Sequence, residues 1–226
     1  MDERTSPQTP GAPAFVVERN ANPVDVAERA RLLANPGFGQ VFTDHMVMIR
    51  YNETLGWHDA KVMPRGPLSI DPATAVLHYA QEIFEGLKAY RLADGSMALF
   101  RPEANAKRFR DSAQRLAMAE LPEDLFIESL RQIVSIDRDW FPDIEGGSLY
   151  LRPFMFASEV FLGVKPSSEY IYLVLASSVG GYFKSGAPAI SLWVSQDNTR
   201  ELRGGTGAAN CGGNYTASIV AKVAAM

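Results

Sequence analysis

The sequence has one cysteine and three histidines in 226 residues. A lone Cys211 cannot close an internal disulfide, and neither residue type is grouped at the spacing of a zinc site or a redox pair. Basic residues are not in excess: 22 Lys and Arg stand against 26 Asp and Glu, a formal net charge of -4. No stripe of positive charge is available for a nucleic-acid backbone or an anionic membrane, so a small-molecule partner is expected. Long apolar runs are absent too, which excludes a membrane helix, and the opening Met1-Asp2-Glu3-Arg4 lacks the apolar stretch of a signal peptide. The expectation is a cytoplasmic protein. The apolar share of 46% is that of an ordinary globular chain.

Extended and helical patterns alternate without an internal repeat. Residues 1–34 carry several prolines and read as a flexible tail with one short helical stretch near Val24 to Leu33. Met46 to Tyr51 reads as a strand. Lys88 to Leu92 and Met97 to Arg101, joined through Ala93-Asp94-Gly95, read as a hairpin. Asp71 to Thr74 has a helix-start signature, and Val76, Leu77, Ala80 and Ile83 follow at helical spacing, predicting a helix that ends at Gly86. Ala104 to Met118 predicts a second helix, and Pro122-Glu123-Asp124 opens a third that runs to about Trp140. Ser148 to Ala157 and Tyr170 to Ser177 have the composition of central strands. Gly180, Gly181, Ser185, Gly186 and Pro188 mark an interdomain connection, beyond which Ile190 to Ser195 begins a second domain. The domains expected are therefore 35–178, a connection over 179–189, and 190–226.

Residues 204–213 contain five glycines. The stretch Gly204-Gly205-Thr206-Gly207-Ala208-Ala209-Asn210-Cys211-Gly212-Gly213-Asn214-Tyr215 lacks the Gly-Lys-Ser/Thr end of a Walker loop, and Asn210 stands where a dinucleotide fingerprint needs its third glycine. The plain reading is a glycine-rich loop capping a helix. The same stretch resembles the cofactor-lysine motif of branched-chain amino-acid aminotransferases. Four more stretches agree in order: Phe38 to Met46, Phe84-Glu85-Gly86-Leu87-Lys88-Ala89-Tyr90, Leu99-Phe100-Arg101-Pro102, and Ser148-Leu149-Tyr150-Leu151-Arg152-Pro153.

The resemblance implies an α+β, two-domain fold of the pyridoxal-phosphate fold-type IV kind. In it a small N-terminal sandwich-like domain precedes a larger β-rich one. It also implies pyridoxal 5'-phosphate as cofactor, amino transfer between leucine, isoleucine or valine and 2-oxoglutarate, and a homodimer. By the same resemblance Arg108 matches the arginine that holds the cofactor phosphate, and Tyr215 the tyrosine on its phenolic oxygen. Tyr150 and Arg152 match the substrate-side pair near the 2-oxo acid carboxylate, and Phe38, Tyr79, Phe84 and Tyr182 match the aromatics lining an aliphatic pocket. The plain alternatives are a solvated helix charge for Arg108 and ordinary aromatic core for the rings.

Asn210 occupies the place of the family's Schiff-base lysine. An amide is neither nucleophilic nor basic near neutral pH, so the chain is expected to be inactive as it stands. The chain also ends inside an apparent helix whose Ile219, Val220 and Val223 lack a buried partner, which reads as a C-terminal truncation before most of the large domain. The alternatives are another fold-type IV enzyme, such as a D-amino-acid aminotransferase or an aminodeoxychorismate lyase, and a non-catalytic homologue that binds a ligand or pairs with another subunit.

Overall fold

The computed structural model describes residues 13–181, 189, 194, 199 and 201–225. One mixed sheet of eight strands organises it. In chain order the elements are β1 (Val16–Val17), α1 (Val26–Leu33), β2 (Val41–Asn52), β3 (Gly56–Pro64), α2 (Val76–Tyr79), β4 (Glu82–Phe84), β5 (Leu87–Arg91) and β6 (Met97–Leu99). They continue with α3 (Pro102–Arg115), α4 (Glu123–Ile136), β7 (Ser148–Ala157), β8 (Glu169–Val179), α5 (Gly212–Thr216) and α6 (Ile219–Ala224). The strand order is β1-β3-β2-β8-β7-β5-β6, with β4 also paired to β7. The two strands read as central from their composition, β7 and β8, do lie inside the sheet, paired antiparallel from Ser148↔Val179 to Ala157↔Tyr170.

Strand alternation divides β7 between two environments. Leu149, Leu151, Met155 and Ala157 are buried in the main core with Phe109 of α3 and with Phe126, Leu130 and Ile133 of α4. Burying either phenylalanine stabilises the fold by roughly 2–3 kcal/mol. Phe109, Phe126 and Tyr172 form a triangle of rings with centroids 5.3 to 6.2 Å apart. The Tyr172 hydroxyl lies 2.8 Å from Ser129 Oγ, which itself donates to the Phe126 carbonyl. Tyr150 and Arg152 belong to the opposite face, farther along which Phe156 joins Met46, Met48, Ile171 and Leu173 in a smaller apolar cluster.

Of the two long helices α4 starts as its sequence predicts, while α3 starts two residues before the expected Ala104. Pro102 fills the first turn of α3 and Glu123 and Asp124 that of α4, where acidic groups face unpaired N–H groups. Arg110 on α3 reaches Glu123 on α4 at 2.7 Å.

Three expectations need correction. The helix expected from Asp71 to Gly86 is a single turn, α2. Ala80 then enters the left-handed region (φ 50°), and the next residues pair as β4 with Phe154, Met155 and Phe156. Burial of Ile83 against β7 outweighed its helical spacing. The tail expected to be flexible is ordered over the part described: β1 adds to β3 in parallel, and the expected short helical stretch is α1, capped by Asp25 Oδ1, which accepts from Ala27 N and Glu28 N. The anchors are polar and were invisible to periodicity. Val24 N donates to Asp44 Oδ1 and Asn20 N to His45 Nε2, while His45 Nδ1 lies 2.6 Å from Asp137 Oδ1. Because Nε2 accepts, the imidazole carries its proton on Nδ1, toward the carboxylate. The terminal helix, third, is broken into α5 and α6, while Ile219, Val220 and Val223 are exposed as expected. Most of the interdomain connection and of the strand expected from Ile190 to Ser195, together with Tyr182, lie outside the described residues.

Candidate active site

Tyr150 and Arg152 project from the β7 face toward the end of β4, and this places two polar side chains beside Phe84. Arg152 Nη2 donates to the Tyr150 hydroxyl at 2.7 Å, and its guanidinium carbon sits 4.6 Å from the Phe84 ring centroid. Among the described residues its buried Nε has no hydrogen-bond partner. An arginine is tolerated on this strand because ring faces and a hydroxyl replace part of its hydration. Phe38 packs on the Tyr150 ring, centroids 5.0 Å apart, and remains half exposed.

The glycine-rich segment comes back over β4 and is sewn to it. Phe84 N donates to the Asn210 carbonyl at 2.9 Å, and Asn210 Nδ2 to the Phe84 carbonyl at 2.7 Å. Asn210 N donates to Ser112 Oγ on α3 at 3.0 Å, and the Tyr215 hydroxyl donates to Asn210 Oδ1 at 3.0 Å. The Tyr215 ring lies 5.0 Å from that of Phe84. Arg115 holds the start of the loop through the carbonyls of Gly204 and Gly205, at 2.9 and 2.7 Å. Asn214 ties its middle by donating to the carbonyls of Thr206 and Ala209. At the loop's end Gly212 N donates to Glu82, whose carboxyl burial holds above its usual range, opposed by that N–H and by the Arg152 charge. A side chain at Gly212 would strike the Glu82 carboxylate, which explains glycine there.

Arg108, on α3, completes the wall. Its Nε and Nη2 donate to the two carboxylate oxygens of Glu85 at 2.5 and 2.6 Å, and this pairing holds the guanidinium pKa above its ordinary value. Phe84, Gly86, Arg108, Tyr150, Arg152, Asn210 and Tyr215 together line a cavity of about 520 Å³. Two guanidinium groups, two phenols and an aromatic wall suit an anionic ligand with a flat or apolar part.

Of the residues singled out from sequence, Arg108, Tyr150, Arg152, Phe84, Asn210 and Tyr215 meet at this cavity, and Phe38 touches it through Tyr150. Tyr79 does not line it. That ring is stacked on Phe161, centroids 6.5 Å apart. Sequence reasoning missed Glu85, Glu82, Ser112 and Asn105. The usable signal was Asn105 and Arg108, one helical turn apart, opposite a carboxylate in the Phe84 to Tyr90 stretch.

Compared with known proteins, the sequence is 57% identical over 212 residues to the branched-chain-amino-acid aminotransferase of Mycolicibacterium smegmatis, covering 93% of this chain and 58% of that one. With the Mycobacterium tuberculosis (H37Rv) enzyme of the same name the identity is 55% over 218 residues, covering 96% and 59%. The chain is a homologue of the branched-chain-amino-acid aminotransferases. It spans just under three fifths of the length of these relatives. Scanned against protein-family models, it matches none. Its fold matches a branched-chain aminotransferase from Thermoproteus uzoniensis, solved with norvaline, with a TM-score of 0.59 at 17% identity over 79% of this chain and 55% of that one. It also matches a T.th. branched-chain amino acid aminotransferase complexed with N-(5'-phosphopyridoxyl)-L-glutamate, with a TM-score of 0.56 at 24% identity over 81% and 55%. At these identities the likeness is one of fold, the α+β fold of type IV. No helix among the described residues is long and apolar enough to cross a membrane.

Proposed function

We propose that this site binds pyridoxal 5'-phosphate and an aliphatic amino acid. The reaction it derives from is amino transfer between leucine, isoleucine or valine and 2-oxoglutarate, and the chain as it stands does not complete that reaction. The observation that carries the reading is the convergence of Arg108, Tyr215, Tyr150 and Arg152 on one cavity around position 210. The homology adds the reaction, since relatives more than half identical bear the aminotransferase name.

The donor set fits the cofactor in part. Arg108 offers a guanidinium to a phosphate, and the Tyr215 hydroxyl can donate to a ring oxygen by turning its proton from Asn210 Oδ1. When bound, the cofactor supplies an electron sink for the amino acid's α-carbon. Arg152, steadied by Tyr150, takes the substrate carboxylate, and Phe84 with Phe38 keeps water from the aliphatic side chain. Asn210 does not fit covalent attachment. Its nitrogen is an amide already bonded to the Phe84 carbonyl, and it can neither add to a carbonyl carbon nor carry a proton from the α-carbon.

The same substitution favours a second reading, a non-catalytic homologue that holds the ligand by non-covalent contacts alone. We further propose a cytoplasmic homodimer, in keeping with the single buried cysteine and with the exposed apolar run Val160, Leu162 and Val164. Residues 35–178 are proposed as the small domain and 190–226 as the beginning of the large one.

The test is an absorbance titration of the chain with pyridoxal phosphate, before and after borohydride, followed by peptide mass analysis. Saturable binding without a reduced adduct is expected. A single modified lysine together with half-transamination of leucine would overturn the reading of Asn210, and absence of any saturable binding would overturn the site.

A further inference from the structure

Glu85 has no solvent exposure, although it follows a strand that borders an open cavity. A buried carboxylate is costly unless charge and hydrogen bonds both compensate it. Here both do. Arg108 supplies the charge through two parallel bonds, Asn105 Nδ2 donates to Oε2 at 2.8 Å, and Gly86 N lies 3.4 Å from the same oxygen. The backbone is fixed as well, since Glu85 N donates to the Pro153 carbonyl of β7 at 2.7 Å. Arg108 itself is 56% exposed in its side chain. Without the carboxylate, a guanidinium on three or four free torsions would sweep the cavity mouth. With it, the Nε edge is committed, and among the described residues no acceptor bonds the Nη1 amine.

We propose that Glu85 is a positioning residue of this site: by gripping the Nε edge of Arg108 it fixes the guanidinium plane, so that the remaining edge receives the ligand's phosphate. This rests on the reading of Arg108 given under the proposed function. Asn105 belongs to the same device, since it stands one turn before Arg108 on α3 and holds the carboxylate oxygen that Nη2 also uses.

Charge and position make opposite predictions for one substitution. If Glu85 acted only as a counter-charge, Glu85→Gln would free the full positive charge of Arg108 and tighten phosphate binding. If it positions, the same change weakens binding, because one amide cannot accept both fork hydrogens.

The experiment is a calorimetric titration of the full chain with pyridoxamine 5'-phosphate and with pyridoxamine, so that the ratio of the two affinities reads the phosphate contact alone. Arg108→Ala is expected to collapse that ratio. Glu85→Gln is expected to lower it on the order of tenfold while leaving the pyridoxamine affinity in place, and to add nothing in the Arg108→Ala background. A ratio unchanged or raised in Glu85→Gln, with Arg108→Ala still collapsing it, overturns the role of Glu85 and leaves the reading of Arg108 standing. A ratio that survives Arg108→Ala overturns both. If circular dichroism shows that Glu85→Gln does not fold, Glu85→Asp takes its place, since it keeps the negative charge and draws the carboxylate back from the guanidinium fork. A fall of about two- to threefold in its ratio is then expected, and no change overturns the proposal.

Discussion

Gly86 faces the hydroxyl of Tyr150 closely enough that a methyl group cannot enter. A Cβ built there would lie 2.3 Å from Tyr150 Oη and 3.0 Å from Cζ. Gly86→Ala therefore pushes the hydroxyl by roughly 1 Å to reach ordinary contact. The ring has little room to yield, with Phe38 on one face and Arg152 Nη2 at 2.7 Å from the oxygen. A 1 Å shift takes that pair out of hydrogen-bonding range and leaves Arg152, whose Nε already lacks a partner among the described residues, without its hydroxyl. Overpacking and a lost bond to a charged donor together cost about 2–4 kcal/mol. Urea unfolding of four proteins checks this: the chain, Gly86→Ala, Tyr150→Phe and the double variant. Removing the hydroxyl removes the worst contact, so Gly86→Ala is expected to cost about 1–2 kcal/mol less in the Tyr150→Phe background. Costs that add to within about 0.5 kcal/mol would refute the idea that the hydroxyl is what Gly86 makes room for.

Burial raises the Tyr170 pKa to about 12 and pushes that of Tyr172 up as well. Such tyrosines keep their protons where the unfolded chain has lost its own, so the stability they contribute is full below pH 10 and disappears as pH rises through 12. Urea midpoints from pH 8 to 12 are expected to fall above pH 10, and by less in Tyr172→Phe; identical alkaline profiles would count against burial as the cause. Arg115→Ala removes the two bonds to the Gly204 and Gly205 carbonyls. Hydrogen exchange at the amides of Gly205 and Ala209 is expected to quicken about tenfold while β7 and β8 keep their protection, and unchanged exchange in the loop would show that it is held elsewhere. Asn210→Lys places an amine where the backbone is already fixed by Phe84 and Ser112. After borohydride reduction with pyridoxal phosphate, a modified peptide containing residue 210 is expected, and modification only at other lysines would contradict the assignment of that position.

The parts of this fold that composition revealed are those decided by local pattern. Phe126, Leu130, Ile133 and Val134 repeat at the helical period and are buried, and Ser148 to Ala157 is a strand whose two faces meet different surroundings. The parts it hid are decided by partners far away in the chain. Ile83 fits a helix by spacing, yet it is drawn into β4 by Met155, more than seventy positions later. The order of residues 16–33 depends on Asp44, His45 and Asp137, polar groups whose meeting no periodicity foretells. The site divides in the same way. Tyr150 and Arg152 announce a shared face by being two apart in a strand, whereas Glu85 becomes legible only once α3 brings Arg108 against it.

On the proposed assignment of position 210, the site keeps its architecture without the chemistry of a lysine. The backbone of this residue makes two bonds that ignore the side chain, to Phe84 and to Ser112. Its amide then satisfies two further groups, accepting from the Tyr215 hydroxyl and donating to the Phe84 carbonyl. A lysine ammonium could donate to that carbonyl and to the phenol oxygen but has no acceptor for the phenolic proton. Asparagine is thus better matched than lysine to the polar groups that the protein itself presents here, and the loop that Gly212 and Asn214 close does not depend on the identity of residue 210. Stability therefore gives no advantage to an amine there. Only the covalent step does, and for that reason binding and turnover must be measured separately in this protein.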